Sequence, residues 1–355
     1  MMTDAKARTG GRARRIRAML WTVVLIAAGS MLLPLAGYLY TAAVQAQEQS
    51  AGGDTANPRA EYWREVRDGT TGYTAVVGPE TNVLIQSRGE TWREIRNGPV
   101  ITLGAIMVVG MIILLAVFQF TKGGAKLEHR TGRKVLRWPM LDRVLHWYTA
   151  ILFIILAITG LSLLWGRFAL IPLLGKEGFA AYASLAKPVH DYLALFFAVG
   201  LAVMLLKWFK HNIFEAHDRQ WFKQAGGYLD GSHPPAGFAN GGEKVYYWVL
   251  VAGGAAIVVS GFWMLFPNLG FERSAMQNAN VIHGISSLVV ITAVLAHIYL
   301  GTLGSEGALE GMVSGEVDEG WAKQHHNLWL DEVKKQGGVP ASEGSASGRS
   351  APASA

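Results

Sequence analysis

The chain has 355 residues, 51% of them hydrophobic and 16% charged, with a net charge of +6. So apolar a composition, with a positive mean hydropathy, argues against an ordinary soluble domain and for several membrane-crossing segments. There is no cysteine, which excludes disulfides, iron–sulphur ligation, thioether-linked haem and any thiolate ligand, so a metal held here needs histidine or methionine. The basic residues cluster beside apolar segments, as membrane topology requires, and not as a nucleic-acid-binding face.

A basic head, Arg8 to Arg17, leads into an apolar run from Met19 to Ala43 that ends in Val44-Gln45-Ala46, a small-residue site before Gln47. Residues 1–46 are therefore either a cleaved signal peptide or an uncleaved transmembrane helix, and both put residues 47–98 in the periplasm. That segment carries a near-repeat, Trp63-Arg64-Glu65-Val66-Arg67-Asp68-Gly69 and Trp92-Arg93-Glu94-Ile95-Arg96-Asn97-Gly98. Asp-Gly and Asn-Gly favour tight turns or helix stops. The repeat fits amphipathic turns anchored by tryptophan at the headgroups, and it fits a docking surface for an outer partner subunit.

A further transmembrane helix is expected over 99–121, then a cytoplasmic basic loop over 122–142 containing Lys122, Lys126, Arg130, Arg133, Lys134 and Arg137. Apolar stretches from Tyr148 to Trp165, Tyr192 to Phe209, Val245 to Phe266 and Val281 to Thr302 form a core within 143–304. They are close to the roughly 20 residues a helix needs to cross hydrocarbon. The basic loop sets the orientation: the connection from Lys210 to Lys244 and the tail, 305–355, are cytoplasmic, and the links near Lys176 and Arg273 face outward. Beyond about 337 the tail is rich in Gly, Ser, Ala and Pro and reads as disordered. The expected fold class is all-α: a multi-span transmembrane four-helix bundle, with an extra N-terminal helix or signal segment and one further transmembrane helix.

Four of the ten histidines lie at the ends of these spans. His283 and His297 share one helix, and a 14-residue separation returns to within about 40° of the same face while advancing roughly 21 Å. Sorting by depth pairs His146 with His297 on the cytoplasmic side and His190 with His283 on the outer side. Any one of them fits an interfacial polar residue, but two depth-matched pairs fit two bis-imidazole haem sites, where iron has no open position for substrate. Gly160, Gly200, Gly253, Gly254 and Gly261 fit both the close approach of a flat macrocycle and plain helix packing. His211, His217, His233 and His129 carry little signal, and His325 with His326 lacks a companion set for a metal.

From about Val135 to Trp329 the chain resembles the cytochrome b (gamma) subunit of respiratory, membrane-bound formate dehydrogenases. The resemblance rests on Asp142-Arg143 with His146-Trp147, His211-Asn212-Ile213, Asn240-Gly241-Gly242-Glu243-Lys244, Ile282-His283, His297-Ile298-Tyr299, and Trp321-Ala322-Lys323 with His325-His326. It implies a four-helix bundle with two b haems ligated by His146, His190, His283 and His297. It further implies a quinone pocket at Asn240 and Gly242, with Lys244 nearby and His297 linking pocket to haem. The implied partners are a formate-oxidising molybdenum or tungsten subunit and a periplasmic iron–sulphur subunit, and electrons would pass through both haems to quinone at the cytoplasmic side of a bacterial inner membrane. The first two apolar stretches and segment 47–98 have no counterpart in the shortest members, and Glu243 stands where some relatives carry glutamine. Alternatives are the cytochrome b subunit of a nickel–iron hydrogenase or another quinone-linked oxidoreductase, and a haem-free membrane anchor or proton-linked transporter. Without the resemblance, Asn240-Gly241-Gly242 also reads as a helix cap.

Overall fold

The computed structural model describes residues 70–73, 82–85, 87–228, 231–269 and 271–337. The first apolar stretch, its cleavage site, the Trp63 copy of the near-repeat and the tail past 337 lie outside these residues. The described chain is mostly helical, and five of its helices are long and apolar enough to cross a membrane.

Strands β1 (Thr70–Thr71) and β2 (Val83–Ile85) pair antiparallel. Helix α1 (Ser87–Ile95) then runs through a wide five-residue turn, Arg96–Val100, into α2 (Ile101–Lys122). The expected turn at Asn97-Gly98 does not stop the helix. Pro99 brings no N–H into the ladder, and the π-type turn around it absorbs the missing hydrogen bond while the helix continues. The span therefore starts near Gly89, about a decade earlier than the expected 99. The Trp92 copy of the near-repeat lies on α1, where its indole Nε1–H donates to Asn280 Oδ1 at 3.3 Å.

The core helices are α3 (Met140–Ala169), α4 (Ile171–Trp208), α6 (Gly241–Leu265) and α7 (Arg273–Tyr299), with the short α5 (Asp218–Lys223) between α4 and α6. Helix α4 is kinked at Gly175, whose φ of 73° suits glycine. It then continues through Pro188, so it extends well N-terminal of the expected start at Tyr192. Asp142, in the first turn of α3, ties down the end of α4, accepting from Trp208 Nε1 at 2.7 Å and pairing with Lys207 Nζ at 3.4 Å.

The tail from 305 to 335 is folded against the basic loop. Strand β3 (Lys134–Leu136) pairs antiparallel with β4 (Glu316–Asp318), which lies between α8 (Ala308–Ser314) and α9 (Glu319–His325), with α10 (Asn327–Lys335) following. Val135, Val317, Trp321, Ala322, Trp329 and Leu330 form a small buried cluster beneath them. The loop's cations meet the tail's carboxylates: Arg130 and Lys134 reach Glu310 at 2.8 and 2.7 Å, and Arg133 pairs with Glu319. Asp318 caps α9 by accepting from Gly320 N and also accepts from Thr131 N and Gly132 N. These hydrogen bonds hold its carboxyl below the usual range against the opposing effect of burial.

Arg137 is the hub of this region. Its buried guanidinium lies within 6 Å of the rings of Trp138, Phe238, Trp321 and Trp329, a cation–π cage. It donates to Phe238 O at 2.8 Å and to His326 Nε2 at 3.2 Å. His326 Nδ1–H can then donate to Gly237 O at 2.9 Å, which fixes a neutral ring. Burial lowers Arg137 to about 10, so it stays charged at neutral pH.

By contacts, the described residues divide into two compact units. One takes those up to Leu114, Leu152–Ala198 and Gly253–Thr292, and the other takes Leu115–Ile151, Val199–Ala252 and the residues from Ala293 on. The basic loop and folded tail belong to the second.

Burial, reinforced by Arg137, holds His326 well below an ordinary histidine, and burial with His233 and Arg137 takes His325 to about 4. The unfolded chain binds these protons near pH 6.5 and the folded chain does not. The stability contributed by the neutral rings is thus complete above about pH 6.5 and is lost as pH falls, by up to about 1.4 kcal/mol per pH unit per ring. Limited proteolysis of the 305–335 region should accelerate between about pH 6.5 and 4.5. His326→Gln, which keeps an acceptor for Arg137 and a donor for Gly237, should flatten that dependence.

Candidate functional site

In the first unit, His190 on α4 and His283 on α7 face each other with ring centres 6.2 Å apart. The neighbouring helices decide which nitrogen each ring presents. On α3, the Thr159 hydroxyl donates to Ile155 O at 2.8 Å, so toward His190 Nδ1, 2.9 Å away, it acts as acceptor. His190 therefore carries its proton on Nδ1 and leaves Nε2 as a lone-pair donor. On α6, Ser260 Oγ donates to Ala256 O at 2.5 Å, and His283 Nδ1 faces Ile257 O at 3.1 Å and Ser260 Oγ at 3.3 Å. A carbonyl accepts only, so His283 is also protonated on Nδ1. Holding Nδ1–H fixes the tautomer and orients Nε2, the arrangement found around metal-ligating histidines.

Each hydroxyl precedes a glycine, and both glycines pack on the same rings. A Cβ at Gly160 would meet His190 Cε1 at 3.1 Å, and one at Gly261 would meet His283 Cε1 at 3.2 Å. Thr159-Gly160 on α3 and Ser260-Gly261 on α6 thus make two equivalent seats, one for each imidazole. The other glycines singled out in the sequence behave differently. A Cβ at Gly200 would strike Tyr148 Cε1 at 2.7 Å, and one at Gly253 would strike Val290 Cγ2 at 2.5 Å. Those two positions serve helix packing.

In the second unit, His146 on α3 and His297 on α7 repeat the spacing, again 6.2 Å between ring centres. His297 stacks flat on Tyr246 of α6, with centres 4.5 Å apart and planes 2° from parallel. His146 Nδ1 is buried without a hydrogen-bond partner. Two imidazoles bonded to opposite sides of one metal at about 2.0–2.1 Å place their centres roughly 6.4 Å apart. Both pairs meet that requirement, and the donor set of paired neutral imidazoles is the one haem iron takes. Among the described residues no group of three or more His, Asp or Glu could hold a bare metal ion. His326 is engaged by Arg137 and Gly237.

Of the positions expected around a quinone, Asn240 lines a cavity of ≈ 210 Å³ in the second unit, together with Trp221, Tyr228, Phe118 and His325. Asn240 and Glu243 form a capping box at the start of α6. Asn240 Oδ1 accepts from Glu243 N at 3.0 Å, and Glu243 Oε2 accepts from Asn240 N at 2.9 Å. With its oxygen committed to the cap, Asn240 offers a ligand its Nδ2 donors. Gly242 lies against the Trp221 indole, where a Cβ would meet Cη2 at 2.7 Å. Lys244 is fully buried, its ammonium held by Asp218 at 2.8 Å and Glu215 at 2.9 Å. Those carboxylates engage Lys244 in a structural ion pair, and His297 lies on Tyr246 and not among the cavity's lining residues. The cap reading of Asn240 is thus the one its hydrogen bonds display.

The sequence profile described as prokaryotic cytochrome b561 matches residues 137–315, a stretch that contains all four histidines. The chain is 27% identical over 205 residues to a formate dehydrogenase cytochrome b556(fdo) subunit of Escherichia coli strain K12, covering 57% of this chain and 94% of that protein. It is 26% identical over 209 residues to the nitrate-inducible formate dehydrogenase cytochrome b556(Fdn) subunit of the same strain, covering 58% and 94%. With a formate dehydrogenase cytochrome b556 subunit of Haemophilus influenzae it shares 28% over 214 residues, covering 59% and 87%.

Lys244→Ala leaves the Asp218 carboxylate buried and unpaired, which should cost about 3–5 kcal/mol and lower the melting temperature of the purified protein sharply. Lys244→Met combined with Asp218→Leu should recover most of that loss, because two apolar side chains replace the pair.

Proposed function

This chain belongs to the prokaryotic cytochrome b561 family, and from that premise we propose that it is the di-haem cytochrome b membrane subunit of a formate dehydrogenase. In this reading it carries electrons from a periplasmic iron–sulphur subunit to quinone at the cytoplasmic face of a bacterial inner membrane. The observation that supports it is the recurrence of one spacing, 6.2 Å, at two histidine pairs that share α7. The relatives named above, all formate dehydrogenase subunits, favour formate as the ultimate donor. Formate itself would be oxidised in a partner chain carrying molybdenum or tungsten.

Haem b with two imidazole ligands supplies one-electron exchange and offers no open iron position to substrate. The residues of this chain do the rest. His190 and His283 would hold one group, with Thr159, Ser260 and Ile257 O fixing their tautomers, and Gly160 and Gly261 letting the helix backbones close on the rings. His146 and His297 would hold the second, with Tyr246 keeping the His297 ring in plane. Asn240 Nδ2 would donate to a quinone carbonyl, while its Oδ1 keeps α6 capped.

His297→Ala should lower the haem content of the purified chain from two to one and abolish quinone reduction, while dye-linked formate oxidation by the partner continues. Unchanged quinone reduction in that variant would refute the assignment. Asn240→Asp separates the two roles of Asn240. It keeps the cap and hence the melting temperature, but it loses the Nδ2 donor and should weaken a quinone-analogue inhibitor by about tenfold, a hydrogen bond's worth. Asn240→Ala should lose affinity and, in addition, about 1 kcal/mol of stability.

A further inference from the structure

The ≈ 210 Å³ cavity has a graded polarity that the electron-carrying function leaves unused. At its rim, exposed His233 Nε2 meets exposed Glu128 Oε1 at 3.0 Å. Inside are Asn240, Tyr228 and His325, the last with its ring 5.3 Å from the Trp321 ring. His325 Nε2 is buried without a hydrogen-bond partner, which is unusual for a buried ring nitrogen and costs stability unless a ligand or water satisfies it. Lys122 and Lys126 also line the cavity and give it positive charge. A space this small, against the roughly 300–1,000 Å³ of pockets for drug-sized ligands, suits a quinone head group whose tail stays in lipid.

We infer that His325 is the proton-relay residue of this cavity, supplied from the surface through the Glu128–His233 pair and delivering to the quinone oxygen that faces Asn240. The inference rests on the quinone-reducing reading above. Quinone becomes quinol by taking two electrons, those removed from formate, and two protons, one onto each carbonyl oxygen. His325 gives a ring proton to one oxygen while its other nitrogen takes a proton that bulk solvent passes along water past His233, so the ring ends neutral. The second oxygen takes its proton from bulk solvent through the cavity water, and the two electrons and two solvent protons together leave a neutral quinol. Burial keeps His325 unprotonated at neutral pH, so it works as a relay and not as a proton store. Tyr228, raised to about 12 by burial, stays a phenol and can hold the entering water. Among the described residues lining the cavity, Glu128 is the one carboxylate, and it is already paired with His233.

The test uses the whole complex in membranes. It measures quinol formation, dye-linked formate oxidation and the affinity of a quinone-analogue inhibitor. His325→Gln should slow quinol formation by about tenfold or more. Dye-linked oxidation and inhibitor affinity should stay within about twofold, and added imidazole should restore the rate of His325→Ala. A His325→Gln rate within about twofold of the parent would overturn the inference. So would a lost rate accompanied by lost inhibitor affinity and no imidazole rescue, since the ring would then merely shape the cavity. Should the His325 variants fail to assemble, Glu128→Gln with His233→Gln decides, because both positions are exposed. A rate deficit that widens from pH 6.5 to pH 8 by about threefold supports the relay, and no deficit overturns it. If the parent complex reduces no quinone at all, the proposed function fails first and this inference falls with it.

Discussion

An imidazole placed between apolar helices has two nitrogens to satisfy, and the way this chain satisfies them organises the region around His190 and His283. One nitrogen of His190 and of His283 goes to a hydroxyl or carbonyl on a neighbouring helix. The other is left as a bare lone pair, on rings whose centres lie 6.2 Å apart. A neutral imidazole avoids the cost of a charge in hydrocarbon, and a metal between two such lone pairs converts an unsatisfied site into a bonded one. The hydroxyl–glycine pairs are the local solution on each side. The hydroxyl borrows a carbonyl of its own helix, i−4, and so becomes an acceptor for the ring, and the glycine lets the ring come near enough to use it. In the His146–His297 pair the observed support is different: His297 stacks on Tyr246, which orients the ring without engaging a nitrogen, and His146 Nδ1 is buried without a hydrogen-bond partner.

Charge is handled by the same rule outside the spans. The basic loop would repel itself if left bare, and the tail's Glu306, Glu310, Asp318 and Glu319 are folded onto it. Arg137 takes a different course, with its charge spread over four aromatic faces and a neutral histidine. Lys244 is balanced by Asp218 and Glu215. For Arg137 and Lys244, both buried, these partners compensate a charge that would otherwise stand alone in the interior.

The long spans and the four histidines were legible in the sequence because both obey simple periods: a hydrophobic length for the bilayer and a 14-residue return to one helix face. Helix starts were less legible. Gly89 and Ile171 precede the apolar runs, so hydropathy alone misses the turns that extend α1 and α4 toward the interface, and Asn97-Gly98 reads as a stop that Pro99 and its wide turn override. The folded tail left almost no trace, because its elements are short and polar and their partners lie 170 to 200 residues away; Arg130 with Glu310 is one case. The burial of Lys244 depends on carboxylates 26 and 29 residues earlier, Asp218 and Glu215, whose approach no local period announces. The seats of His190 and His283 did leave a signal: a hydroxyl residue followed by glycine occurs in the middle of two otherwise apolar spans, at Thr159-Gly160 and Ser260-Gly261, and its recurrence marks the helices that face the rings. Asn240 was ambiguous between cap and ligand because it does the first with one end of its amide and has the other end to spare.

The most direct measurement is the haem content of the purified full-length chain, read spectroscopically beside variants that remove one histidine from each pair. Two b haems in the parent, one in His283→Ala and one in His146→Ala, with distinct reduced spectra for the two variants, is the result expected if each pair clasps its own iron. A parent chain that emerges without colour despite ample porphyrin, or a single haem unaffected by either substitution, would contradict it.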